Sequence, residues 1–141
     1  MEVGLEIRAT SSHREIVGAI ALDEAQINSK ARANSIMSVG ESGGLSVAVC
    51  ELGVLAFCCL EQRFFLGKPF ISLLVVSPGA RRQGLGTALL SLQLTALSEV
   101  WTSTNRSNFE MRSLLQKVGF RYCGELDGFD EGDPEQFFKF D

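Results

Sequence analysis

Apolar residues along this chain follow two rhythms, short unbroken or alternating runs and repeats of three and four. The sharpest change between them falls at residues 71–90, ISLLVVSPGARRQGLGTALL. Ile71 to Val76 is apolar except for Ser72, with the length and β-branched content of a strand buried on both faces. Ser77-Pro78-Gly79 ends that strand, because proline has no N–H to give a ladder and glycine permits the turn. After Arg81-Arg82-Gln83-Gly84-Leu85-Gly86, residues Leu85, Ala88, Leu89, Leu92 and Ala96 recur at i, i+3, i+4, i+7 and i+11, the spacing of one helical face.

The flanking pattern predicts the remaining elements. Val3–Thr10 alternates as a strand, Ser12 with Glu15 suggests a capping box, and Ile16, Ala19, Ile20 and Ile27 mark the apolar side of a helix. Residues 30–44 are polar and end in glycine, so helix and loop are not separable there. Leu45–Cys50 and Val54–Leu60 read as strands joined at Glu51-Leu52-Gly53. Val100–Ser103 is a short strand, and Ser107 or Asn108 can cap a helix lined by Met111, Leu114, Leu115 and Val118, with Gly119 at its C′ position. Phe120–Gly124 and Glu135–Phe140 complete the order β-α-α-β-β-β-α-β-α-β-β, a single α/β domain over residues 1–141.

Composition narrows the function classes. A length of 141 residues, 45% hydrophobic and 21% charged, suits one domain with a real core. A net charge of −4 argues against a nucleic-acid binder that relies on a general basic surface, without excluding a cationic substrate. MEVGLEIRAT lacks the basic and apolar regions of a signal peptide, and no stretch approaches the ~20 apolar residues of a membrane span. The expected location is cytoplasmic, and a homodimer stays open. Cys50, Cys58, Cys59 and Cys123 form no C-x-x-C pair and stand far from His13, the only histidine, so no metal is expected. All four are expected to be reduced and packed, with Cys58 and Cys59 pointing to opposite faces of one strand. His13, at a helix start, reads as a solvated surface residue.

Strand, basic glycine turn and helix N-terminus together make an anion site. First-turn amides lack intrahelical partners, they lie at the positive end of the helix dipole, and glycine allows close approach. A Walker A loop would require Lys and then Ser or Thr after its second glycine, where this chain has Thr87-Ala88. A dinucleotide fingerprint would need a third glycine where Leu89 stands. The spacing present, Arg81-x-x-Gly84-x-Gly86 after a V-x-P strand end, resembles motif A of the GNAT N-acetyltransferases. Downstream, Asn108, Met111 and Gly119-Phe120 resemble the N-x-x-A…G-F pattern of motif B, with Met111 in the alanine position.

The resemblance implies a mixed central sheet flanked by helices and splayed between its fourth and fifth strands, with a coenzyme A cleft in the gap. It also implies an N-acetyltransferase that moves the acetyl group of acetyl-CoA to an amine of a small molecule or peptide by direct attack in a ternary complex. Backbone groups of Leu74 and Val76 would meet the pantetheine amides. Amides of Arg81, Arg82, Gln83, Gly84, Leu85 and Gly86, with Thr87, would hold the pyrophosphate, and the guanidinium groups of Arg81 and Arg82 would add charge-assisted contacts. Asn108 would approach the pantetheine arm.

Two departures bear on the chemistry. The family's usual tyrosine acid falls at Leu115, and the only tyrosine, Tyr122, lies on the strand beyond motif B. The strand before the turn carries no ionisable side chain. Ser72, Ser103, Thr104, Glu131 or an ordered water are left as weak candidates for the proton path, and a coenzyme A-binding module without catalysis, in a regulatory or interaction role, is the alternative. The tail segment LDGFDEGDPE resembles an LDEGDPE signature of one GNAT subgroup. Its carboxylates Asp127, Asp130, Glu131, Asp133 and Glu135 suggest a cationic amine acceptor.

Overall fold

A computed structural model describes residues 4–141. The elements run β1 (Glu6–Thr10), α1 (His13–Glu24), α2 (Lys30–Glu41), β2 (Leu45–Cys50), β3 (Gly53–Phe65), β4 (Lys68–Val76), a 3₁₀ turn (Pro78–Ala80), α3 (Leu85–Leu94), β5 (Val100–Asn105), α4 (Phe109–Val118), β6 (Arg121–Leu126) and β7 (Glu135–Phe140). The order of helices and strands is the one expected. Val3 of the expected first strand lies outside the described residues.

The strands form one seven-stranded sheet in the order β1-β2-β3-β4-β5-β7-β6. Neighbours are antiparallel except β4 and β5, which pair in parallel through only Phe70–Trp101 and Ile71–Thr102. Helices cover both faces. Ile16 and Ala19 of α1 and Ile36 and Val39 of α2 pack on Val47, Phe57 and Cys59. Leu85, Leu89 and Leu90 of α3 and Leu115 of α4 pack on Ala56, Cys58 and Phe138 of the opposite face. Cys58 and Cys59 therefore do face opposite ways, as alternation along a strand requires.

Several boundaries differ from the pattern for identifiable reasons. Lys30–Glu41 is helical because Ser29 caps it, its Oγ accepting from the Arg32 N–H at 3.2 Å, and because Gly40 admits Ile16. A Cβ at Gly40 would meet Ile16 Cγ1 at 2.6 Å, so α1 and α2 approach closely there. Ser12 precedes α1 without a side-chain cap. Glu15, its expected partner, accepts instead from both Arg8 Nη atoms at 2.8 Å and from Thr10 Oγ1 at 2.6 Å. Strand β3 runs five residues past the expected end at Leu60, to Phe65, and turns at Leu66 (φ 51) and Gly67 (φ 74). Phe65 stacks on Phe137 at 5.1 Å, and Phe64 and Phe65 both tilt against Phe70. Helix α3 ends at Leu94, which leaves Ala96 exposed and Ala88 and Leu92 only half-buried. Cys123 is exposed rather than packed, because β6 is an edge strand with an open face.

Candidate active site

The sheet opens where β4 and β5 part. Thr102, almost fully buried, donates its Oγ1 hydrogen to the Ile71 carbonyl at 2.8 Å and fastens the last paired position. At the same level β4 carries a bulge. Cys59 pairs with Leu73 and Leu60 with Ile71, which leaves Ser72 as the extra residue. A bulge bends its strand and ends regular pairing, and here it coincides with the splay. Beyond it, residues 73–76 keep β3 on one edge and have no strand on the other.

The gap is a cleft of about 1030 Å³. Its floor is residues 71–76 of β4, and Thr102, Ser103, Thr104 and Asn105 of β5 line the opposite strand. One wall is the turn at residues 78–87 together with α4, through Asn108, Glu110, Met111, Leu114 and Lys117. The other wall is the α1–α2 connection, through Asp23, Gln26, Ile27 and Arg32.

The glycine turn is shaped for an anion. Arg82 (φ 63) and Gly84 (φ 80) are both left-handed, and Gly84 is the N-cap of α3. Among the described residues, the amides of Arg81 through Gly86 donate to no carbonyl or side chain, and the first helical bond is Ala88 N–H to Gly84 O at 3.0 Å. A Cβ at Gly84 would meet nothing within 4 Å, so that face of the turn is open. Such amides at a helix start attract phosphate or carboxylate oxygens.

Of the expected coenzyme residues, Leu74, Val76, Arg81, Arg82, Gly84, Leu85, Gly86, Thr87 and Asn108 line this cleft and Gln83 does not. Gly86 differs from the expectation of open space for phosphate. It is buried, and a Cβ there would sit 2.9 Å from Leu114 Cδ2, so its small size serves α3–α4 packing. Arg81 turns away from the turn's open face, donating to Gln26 Oε1 at 3.0 Å and Val76 O at 3.4 Å. Asn108 is the N-cap of α4, its Oδ1 accepting from the Met111 N–H at 3.1 Å.

The weak catalytic candidates separate. Ser72, Ser103 and Thr104 line the cleft, whereas Glu131 is exposed on a loop outside it. Ser72 Oγ is the one buried side-chain polar atom without a partner among the described residues. Leu115 is fully buried in the core under α4, and Tyr122 is half-exposed on β6, edge-on to Phe138. Neither reaches the cleft. Cys58 and Cys59 are not nucleophiles, since burial holds the Cys58 thiol far above its usual range and pushes Cys59 up to about 12.

The acidic tail has a mechanical job. Asp133 accepts from Ser107 N–H at 3.0 Å and from Ser107 Oγ at 2.6 Å, and Asp130 accepts from Asn105 Nδ2 at 2.9 Å. Arg106 N–H donates to the Pro134 carbonyl at 2.8 Å, and its guanidinium pairs with Glu125. The segment braces the turn that delivers Asn108, and none of its carboxylates lines the cleft.

Sequence reasoning missed the α1–α2 wall. Arg32 donates Nε to Asp23 Oδ2 at 2.9 Å and Nη2 to Asp23 Oδ1 at 2.6 Å, and Asp23 is only 1% exposed. This bidentate bond raises the Arg32 pKa further above its usual range. The partners stand nine positions apart across a helix break, so no local spacing announces them. Among the described residues no group of three or more His, Cys, Asp or Glu is placed to hold a metal, and no helix is long and apolar enough to cross a membrane.

A parallel pair of strands splayed over a glycine turn, with helices on both faces, defines an acyl-CoA transferase-like architecture. Residues 13–120 match the Acetyltransferase (GNAT) family, and the chain belongs to that family. No curated protein matches the chain in sequence. Among solved structures it is similar to a GNAT-family acetyltransferase from Bacillus cereus, 28% identical over 96% of each chain with a TM-score of 0.87. It shares the fold of Arabidopsis thaliana Naa50 in complex with the bisubstrate analogue CoA-Ac-MVNAL, 14% identical over 99% of each chain with a TM-score of 0.81. The fold also recurs in Ard1 from Thermoplasma volcanium, 18% identical over 98% of this chain and 97% of that one, with a TM-score of 0.80.

Proposed function

We propose that this protein is an acyl-CoA-dependent N-acyltransferase that transfers an acetyl group from acetyl-CoA to an amine by direct attack in a ternary complex. The observation that carries the reading is the coincidence of the β4–β5 opening with a turn whose amides are unpartnered from Arg81 to Gly86. These residues fit the coenzyme. The turn and the N-terminus of α3 would hold its pyrophosphate, the free edge of β4 through Leu74 and Val76 would meet the pantetheine amides, and the free Nδ2 of Asn108 would face the arm. The Naa50 neighbour, bound to an analogue that joins CoA to a peptide, supports the same assignment.

Bound acetyl-CoA supplies an acyl group activated as a thioester. The chain's own task is to hold that carbonyl beside β4, exclude bulk water and manage one proton. As the C–N bond forms and the C–S bond breaks, the proton lost by the amine must reach the departing sulfur. Residues 69–76 of β4 hold no ionisable side chain to carry it. Ser72 Oγ, buried at the bulge and without a partner, is the hydroxyl that a reacting group or a relaying water would satisfy.

A second reading, a coenzyme A-binding module without turnover, is favoured by one observation, the burial of Leu115 at the usual tyrosine position. Calorimetry with acetyl-CoA followed by thiol-release assays over a panel of amines separates the two. Binding with turnover supports the enzyme, binding without turnover supports the module, and no binding removes both.

A further inference from the structure

The basic residues of the cleft are divided between its walls. Arg82 and Lys117 belong to the turn and α4, the side where the coenzyme's phosphates would lie, Arg81 reaches from the turn to Gln26, and Arg32 is the basic side chain that the α1–α2 wall itself contributes. Cys59, the partner of Leu73 in β4 one residue from the bulge at Ser72, packs in one cluster with Ile16 and Ala19 of α1 and Ile36 of α2, the helices that carry Asp23 and Arg32. That is the sheet face opposite α3 and α4.

Arg32 is pre-set rather than floating. The buried Asp23 carboxylate is tolerated because it is paired, and it occupies the Nε–Nη2 edge of the guanidinium. Nη1 has no partner among the described residues, and the side chain remains 31% exposed. The Nη1–Nη2 edge is thus a second fork, matched in shape to a carboxylate. Ile27, half-exposed on the same wall, adds an apolar surface.

We propose that Arg32 recognises a carboxylate on the acceptor, so that the amine acetylated by this protein belongs to the amino-acid class. The proposal rests on the N-acyltransferase reading above. Asp23 is a positioning residue that aims the guanidinium, and Arg32 binds substrate without touching the reacting atoms.

The test compares matched probes on the intact chain. With saturating acetyl-CoA, thiol release is measured for L-amino acids and for their α-amides. In parallel, N-acetyl amino acids and N-acetyl amino-acid amides are titrated by calorimetry into protein saturated with coenzyme A. A charge-assisted fork predicts a preference for the carboxylate of about 10- to 100-fold in kcat/KM, expressed in KM, and tighter binding of the acetylated acids. Arg32→Gln should abolish both preferences, with the KM of the acids rising to that of the amides and the acetylated acids binding no tighter than their amides. If Arg32→Gln does not fold because Asp23 is left unpaired, Arg32→Lys keeps the ion pair, loses the fork, and should lower the preference. Equal use of acids and amides by the parent protein, a preference that survives Arg32→Gln, or no saturable binding of either acetylated acid overturns the proposal. Failure of the parent protein to bind acetyl-CoA would instead remove the N-acyltransferase reading on which it rests.

Discussion

Thr102 and Ile71 are the last residues to hold β4 and β5 together, and the 2.8 Å bond from Thr102 Oγ1 to the Ile71 carbonyl sets where the cleft begins. Removing that hydroxyl without changing shape isolates its contribution. Thr102→Val should destabilise the protein by about 1–2 kcal/mol, as expected for a lost buried hydrogen bond, read as a lower urea midpoint at unchanged slope. It should also weaken acetyl-CoA binding, because the strand separation is no longer fixed. An unchanged midpoint would show that the parallel backbone pairing suffices.

Gly84 and Gly86 answer to different constraints despite sharing one motif. Gly84 has φ 80 and open space around a would-be Cβ, whereas Gly86 would place its Cβ 2.9 Å from Leu114 Cδ2. Gly84→Ala should cost about 1–2 kcal/mol of stability from the left-handed backbone and reduce coenzyme affinity further by intruding on the turn. Gly86→Ala should change stability by no more than about 1 kcal/mol, because its Cβ presses only on the tip of the Leu114 side chain and alanine favours the helix, with affinity falling only as the helices shift. Thermal melts paired with calorimetry distinguish them, and equal behaviour of the two variants would contradict the division.

Ser72 offers a test in which stability and activity move in opposite directions. Its hydroxyl is buried and unsatisfied, so Ser72→Ala should leave stability unchanged or raise it by up to about 1 kcal/mol. Turnover should nevertheless drop, by about 10- to 100-fold if the hydroxyl bonds to a reacting group. A variant as active as the parent would restrict Ser72 to a packing role at the bulge.

The entry to α1 gives a pH-dependent comparison. Arg8 is the main reason that the Glu15 carboxyl lies below its usual range, with Thr10 assisting. A depressed carboxylate contributes stability that is fully present above its unfolded-state pKa and is lost as pH falls through the folded value. Glu15→Gln should therefore be destabilised relative to the parent at pH 7, and the two melting curves should converge as the medium is acidified below the ordinary glutamate range. Ser12→Ala should be nearly silent because Ser12 makes no cap bond. A loss of about 1 kcal/mol at Ser12, typical of a working cap, would restore the capping box.

What the sequence disclosed was whatever is written locally. The apolar run through Val76, the Pro78 stop, the glycines before α3 and the Asn108 cap all act within a few residues of their effect, and each element they predicted is present. With them came the wall of the cleft formed by the turn and α4. The α1–α2 wall was illegible because it depends on contacts between elements. Arg32 acquires its orientation from Asp23 on another helix, and Glu15 is drawn from its cap by Arg8 on a neighbouring strand. Ser72 became distinctive only through a register shift against β3, which no single strand reveals. The bonds of the acidic tail were hidden for the same reason, since a row of carboxylates in sequence does not show that Asp130 and Asp133 are bonded to Asn105 and Ser107.

On the proposed function, the open edge of β4 and the turn at Arg81–Gly86 hold acetyl-CoA. Backbone amide NMR during a titration with acetyl-CoA observes those groups individually. Saturable shifts should concentrate in residues 72–76 and 81–87, with protection from hydrogen exchange appearing at the turn amides that are unpartnered in the free protein. Saturation with shifts confined to other surfaces, or no shift at all, would contradict it.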